Sequence, residues 1–227
     1  FTLSNGLIST FYGVATIASA AMLPKVGKLI DTISLKKFTL ATTFLFLTAL
    51  LFFSFSQSWW YIPIAFLGLR LAGQGLYSHI AITTMSRYFV ENRGKAISLA
   101  SLGHPLGQAV LPAIILLVIT QIGWRESLWI NASLVAVIVT GYTIFVVKPK
   151  HLVPESESET SNSKDKKEIV EVRQRDIMKS KEFLLLAPNI FFIPFAITGL
   201  FFYQFPIVEY KDWGVGVIAA GLTVYAI

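Results

Sequence analysis

Arg70 is the side chain in this sequence whose position most demands a chemical reason. It sits in the stretch "FLGLRLAGQGLYSHIAI", where a charge at the centre of a lipid-spanning helix costs about 2.5 to 3.5 kcal/mol on insertion scales. Gln74 and Tyr77 follow at i+4 and i+7, so a regular α-helix would carry all three on one face. A guanidinium there could hold a carboxylate through two parallel hydrogen bonds, or be coupled to the protonation of a nearby acid. The other reading is a structural arginine bonded to backbone carbonyls or reaching toward the membrane surface. His104 shares a face with Gln108 four residues on. An imidazole can titrate near neutrality and move a proton, or serve as a hydrogen-bonded packing residue. His79 is the weaker candidate, being nearer its helix end.

Other chemistries are excluded by what is missing. There is no cysteine, and the three histidines His79, His104 and His151 are scattered, so no metal-ligand spacing exists. Nor is there a nucleophile elbow, a zinc-protease helix, a phosphate-binding loop or a dinucleotide fingerprint. The sequence therefore predicts no catalytic residue, no metal and no cofactor beyond a coupling ion. The formal charge is +6, but the basic residues stand at the ends of apolar runs. That placement speaks for membrane topology and against nucleic acid.

The elements that must position Arg70 and His104 are membrane helices. Of the 227 residues, 54% are hydrophobic and 14% charged, against about 25% charged in water-soluble domains. Apolar runs at 7–23, 38–55, 60–85, 96–122, 128–147 and 183–207, with a further one from 215, have the length that a lipid core about 30 Å thick requires. A helix satisfies the backbone of each internally. Basic residues cluster in alternate connections: Lys25, Lys28, Lys36 and Lys37 after the first run, Arg87, Arg93 and Lys95 after the third, Lys148 and Lys150 after the fifth. Those loops are expected to be cytoplasmic. The first run then enters from outside, which predicts one more helix ahead of it, so the runs are expected to be spans two to eight. Residues 148–182 hold "ESESETSNSKDKK" and read as a polar cytoplasmic linker with a short helix near 169–180.

Two connections carry a family resemblance. The first contains Gly27, Asp31, Lys36 and Lys37 in a tight basic turn and resembles the loop signature of the major facilitator superfamily, although Thr32 and Ser34 depart from it and the basic pair is shifted by one position. Gly27 would allow close helix approach, and Asp31 would lie near helix ends where charge pairs can lock one state. An ordinary positive-inside turn is the plainer reading. The second runs from Tyr88 and Phe89 through Arg93 and Gly94 to Gly103 and Gly107, and resembles the span-five signature of the monocarboxylate transporter and oxalate/formate antiporter branch. Independently of that name, Ala96, Ala100, Gly103 and Gly107 form a small-residue stripe against which another helix could pack. Pro105 and Pro112 are expected to bend this span.

The resemblance implies an all-α polytopic fold, a fragment of a twelve-helix major facilitator fold. Residues 1–147 would belong to an N-terminal six-helix bundle lacking its first helix, 148–182 to the linker and 183–227 to the start of a C-terminal bundle. It implies secondary active transport of a small solute by alternating access, in a protein working as a monomer in the cell membrane, with a proton as coupling ion. A small organic anion is the expected solute. Efflux of another metabolite class is the alternative, and an intramembrane enzyme or a membrane sensor the more distant ones. Pro188, Pro194 and Pro206 are expected to break span seven around Asn189, and broken helices build binding sites in transporters. Tyr203 and Gln204 are therefore candidate solute contacts.

Overall fold

The computed structural model describes residues 3–145, 147, 179–214 and 216–226, and all the regular structure it describes is helical. The predicted linker and its short helix lie outside the described residues but for 179–182. The elements are α1 (Asn5–Gly27), α2 (Leu29–Thr32), α3 (Leu35–Ser54), α4 (Tyr61–Leu69), a π-helical segment (Arg70–Leu76), α5 (Tyr77–Tyr88), α6 (Arg93–Ser101), α7 (Gly103–Ile122), α8 (Trp124–Phe145), α9 (Lys181–Tyr210) and α10 (Gly216–Ala226). Among the described residues, five helical stretches are long and apolar enough to cross a membrane. The run from Tyr61 to Tyr88 is a sixth helical rod, continuous through its π-helical middle.

Local chemistry sets the boundaries. Ser4 caps α1, accepting from the Leu7 N–H at 3.3 Å, and Ser180 caps α9, accepting from the Phe183 N–H at 3.2 Å. Each satisfies a backbone donor that a helix start leaves unpaired. Between α2 and α3 the chain is extended at Ile33 and Ser34, which turns it back across the basic end of the bundle. The core at this end joins Ile30, Leu35, Phe38, Leu71 and Leu76, with Leu23, Val26 and Ile80 packed against them. At the opposite, aromatic end, Arg125 donates to the Ser54 carbonyl at 3.2 Å and the Ser56 carbonyl at 2.9 Å. It thereby ties the start of α8 to the end of α3 and satisfies carbonyls that a helix end leaves open. Outward faces stay apolar: Phe44, Val137 and Leu185 are each more than 70% exposed.

Proline behaves differently from the sequence expectation. α9 runs unbroken from Lys181 to Tyr210 through Pro188, Pro194 and Pro206. Each proline removes a single N–H, and the turns between them keep their own bonds, so the helix survives, as membrane helices commonly allow. The span from residue 93 to 122 does interrupt, at Leu102. Pro105 explains the place, because its ring opposes the carbonyl of Ser101 four residues back. Pro112 lies inside α7 without interrupting it.

Candidate functional site

Arg70 opens the π-helical segment, and its half-buried guanidinium donates to the Tyr12 hydroxyl on α1 and to the Gln74 amide oxygen. It also lies over the Tyr12 ring, 4.7 Å from the centroid, an attraction between cation and π face worth about 0.5 to 2 kcal/mol. The arginine thus has specific side-chain partners on two helices. Tyr12 itself packs edge-on against Phe66 at 5.8 Å.

The expected third member of this face is elsewhere. Tyr77 donates to Thr43 Oγ1 on α3 at 2.8 Å and meets Phe46 edge-on at 5.9 Å. The correction has a geometric cause. A π turn bonds i to i+5 and holds an extra residue, which sets back the downstream residues by about 100° relative to an α-helix. Gln74, inside the segment, still meets Arg70; Tyr77, beyond it, is carried round to α3.

Three glycines let the neighbours close in. A Cβ on Gly68 would lie 2.7 Å from Ala49 Cβ on α3, one on Gly73 3.0 Å from the Phe46 ring, and one on Gly75 3.0 Å from Leu23 Cδ1 on α1. Packing at this range is what small residues provide between membrane helices.

Tyr12 faces a cavity of about 390 Å³ between α1 and α9, lined also by Ser9, Phe195, Thr198 and Tyr203. Arg70 stands behind Tyr12 and does not line the cavity. Tyr203 therefore joins the Arg70 group through this space, whereas Gln204 is half-buried and not among the lining residues. His104 is exposed, and neither it nor Gln108 forms a hydrogen bond or ion pair among the described residues. Among the described residues, a Cβ on Gly103 would meet nothing within 4 Å, and one on Gly107 only Leu111 of its own helix, at 3.7 Å. Tyr88, Phe89, Arg93 and Gly94 are exposed around the turn from α5 to α6.

At the basic end Gly27, Asp31 and Lys36 each meet a partner on another helix. Arg87, at the end of α5, pairs with Asp31 at 2.5 Å. Lys36 donates to the Ile144 carbonyl in the last turn of α8 at 2.7 Å, where a cation also opposes the helix dipole; Lys37 is exposed. Gly27 is buried, and a Cβ there would lie 3.2 Å from the His79 ring. His79 Nε2 donates to the Gly27 carbonyl at 3.1 Å, and because a carbonyl only accepts, that nitrogen carries the proton. The neighbour that comes close to Gly27 is thus the His79 side chain. The Asp31–Arg87 pair is partly solvated, with the aspartate side chain 52% exposed. A thermal double-mutant cycle of Asp31→Asn and Arg87→Gln is expected to give a coupling of at most about 1 kcal/mol, shrinking in high salt; no coupling at low salt would mean that the pair is not held in solution.

Tyr12 escaped the sequence reading. The available signal was a polar or small stripe at Gly6, Ser9, Tyr12 and Gly13, spaced by three and four residues on an otherwise apolar helix.

Comparison with known proteins brings in a family. The sequence profile described as Major Facilitator Superfamily matches residues 1–227. A curated protein of Aspergillus flavus, the MFS transporter asaE, is 26% identical over 153 residues, a match that covers 67% of this chain and 34% of that protein. The chain thus spans about a third of the length of the relative it matches. No solved structure matches it.

Proposed function

Because this chain belongs to the major facilitator superfamily, and is therefore part of a multi-pass integral membrane protein, we propose that it serves secondary transport of a small organic anion by alternating access. The observation that carries this reading is the cation at the middle of the Tyr61–Tyr88 rod: Arg70, fixed by Tyr12 and Gln74 behind a cavity that Tyr203 lines from the other side. A positive charge held at that depth favours an anion in the space before it. Movement of a solute needs no covalent step, and we assign no catalytic residue.

The coupling ion in this reading is a proton, the basic loops and the linker at 148–182 are cytoplasmic, and the protein works as a monomer in the cell membrane. Membership of the monocarboxylate and oxalate/formate branch rests on the sequence from Tyr88 to Gly107. The Asp31–Arg87 pair and the His79–Gly27 bond hold α1, α2 and α5 together at one end, as a latch that opens and closes with the transport cycle would. A second reading, export of a larger apolar metabolite, draws support from the three aromatic rings of Tyr12, Phe195 and Tyr203 around the cavity.

Vesicles containing the intact protein, loaded at one pH and diluted into another, test the first reading with radiolabelled small carboxylates. Accumulation that follows the proton gradient is the expected result. Carboxylate flux at the level of empty vesicles, in protein that transports an aromatic metabolite, would replace the first reading by the second.

A further inference from the structure

A second cavity, of about 620 Å³, lies at the aromatic end and is lined by Phe53, Ser56, Gln57, Ile62, Trp124 and Arg125. It is formed by α3, α4 and α8 and shares no residue with the space between α1 and α9. Its cation is held in place: Arg125 donates from Nε to Ser54 and from Nη2 to Ser56, and lies over the Trp124 ring at 4.5 Å. A guanidinium has five N–H donors, and the remaining ones meet no partner among the described residues. Phe53, which packs on Trp124 at 6.1 Å, and Ile62 make the other wall apolar. The result is a fixed cation beside an apolar recess.

Depth in the membrane says what such a recess can take. Trp59 and Trp60 precede α4, Trp124 opens α8 with Trp129 in its second turn, and Trp213 lies between α9 and α10, so all five tryptophans fall in connections or the first two turns at one end of the spans. Tryptophan gathers at the level of lipid headgroups. We infer that this cavity is a phospholipid site, in which the Arg125 guanidinium holds the headgroup phosphate and Phe53, Ile62 and Trp124 cover the glycerol and the upper acyl carbons. Arginine suits this task because its planar fork matches two phosphate oxygens, and the Ser54 and Ser56 carbonyls fix its orientation beforehand.

Native mass spectrometry of the intact protein in detergent, titrated with phosphatidylglycerol, tests the site, with diacylglycerol as the probe lacking phosphate. One phosphatidylglycerol is expected to stay bound under conditions that strip diacylglycerol. Arg125→Gln should weaken its retention about tenfold or more, as loss of a charge-assisted phosphate contact does. That variant also loosens the end of α3, so Gln57→Trp is the companion: it fills the recess from an exposed position and leaves the bonds of Arg125 to Ser54 and Ser56 in place. It should likewise displace the lipid. Equal retention in wild type and Gln57→Trp, or equal retention of diacylglycerol, would overturn the assignment. Displacement by glycerol 3-phosphate at the same concentration would do so too, by showing a site for free anions.

Discussion

Carboxylate flux through reconstituted Arg70→Ala is expected to fall by about tenfold to 150-fold. That range corresponds to the roughly 1.5 to 3 kcal/mol carried by a hydrogen bond to a charged group. The substitution removes the cation, and with it one partner of the Tyr12 hydroxyl and ring. Arg70→Lys should recover little of the loss. An ammonium keeps the charge, but it lacks the planar guanidinium that lies over the Tyr12 ring while its Nη1 donates to both Tyr12 and Gln74. Tyr12→Phe separates the two contributions. It keeps the ring under the guanidinium and removes the hydroxyl, so its flux should lie between wild type and Arg70→Ala. Unchanged flux in a well-folded Arg70→Ala would reduce the arginine to a packing element and end its assignment to the solute.

Gly68→Ala is expected to destabilise the bundle by about 1 to 3 kcal/mol, the usual cost of forcing an extra methyl into a packed interface. The new Cβ would lie 2.7 Å from Ala49 Cβ, and an atom so near the backbone cannot swing aside, so α3 and α4 must separate. Melting of the detergent-solubilised protein reads this as a fall of a few degrees per kcal/mol. Ala49→Gly should rescue it, because removing the opposing methyl returns the space. Gly141→Ala is the control: its Cβ would meet nothing within 4 Å on α8, and alanine in a helix interior gains up to about 1 kcal/mol over glycine. Equal melting of Gly68→Ala and wild type would show that the two helices are not this close in solution.

Apolar length made the spans legible in the sequence, because a lipid core fixes how many residues a helix must supply. Their ends shifted by a few residues: α1 continues past Leu23 to Gly27, and α8 begins at Trp124 rather than Leu128. A charge pair for Asp31 was readable in outline, since basic turns and helix ends imply such pairs. The partners themselves were not readable, because Arg87 lies 56 residues from Asp31 and the acceptor for Lys36 is a backbone carbonyl 108 residues away. His79 looked weak for the same reason: its partner is the Gly27 carbonyl, which has no letter in the sequence. One helical period throughout would put Tyr77 beside Arg70, and the π turn that prevents it has no mark in the sequence; nor do the prolines tell that α9 runs unbroken past Asn189, Tyr203 and Gln204. Tyr203 nevertheless reaches the cavity, from an intact helix.

The π-helical segment sets the angular phase between the two ends of one rod. Above it, α4 turns Phe66 toward Tyr12 and Gly68 toward Ala49; below it, α5 turns Tyr77 to Thr43, His79 to Gly27 and Arg87 to Asp31. Removing one residue from Arg70–Leu76 would restore an ordinary helix and swing the whole lower half by about 100°, uncoupling all three lower contacts at once while leaving every one of their side chains in the sequence. The rod works as a crankshaft, with its offset forged at the residue that bears the charge. A motion that tightened or relaxed that single wide turn would reach the basic end as rotation.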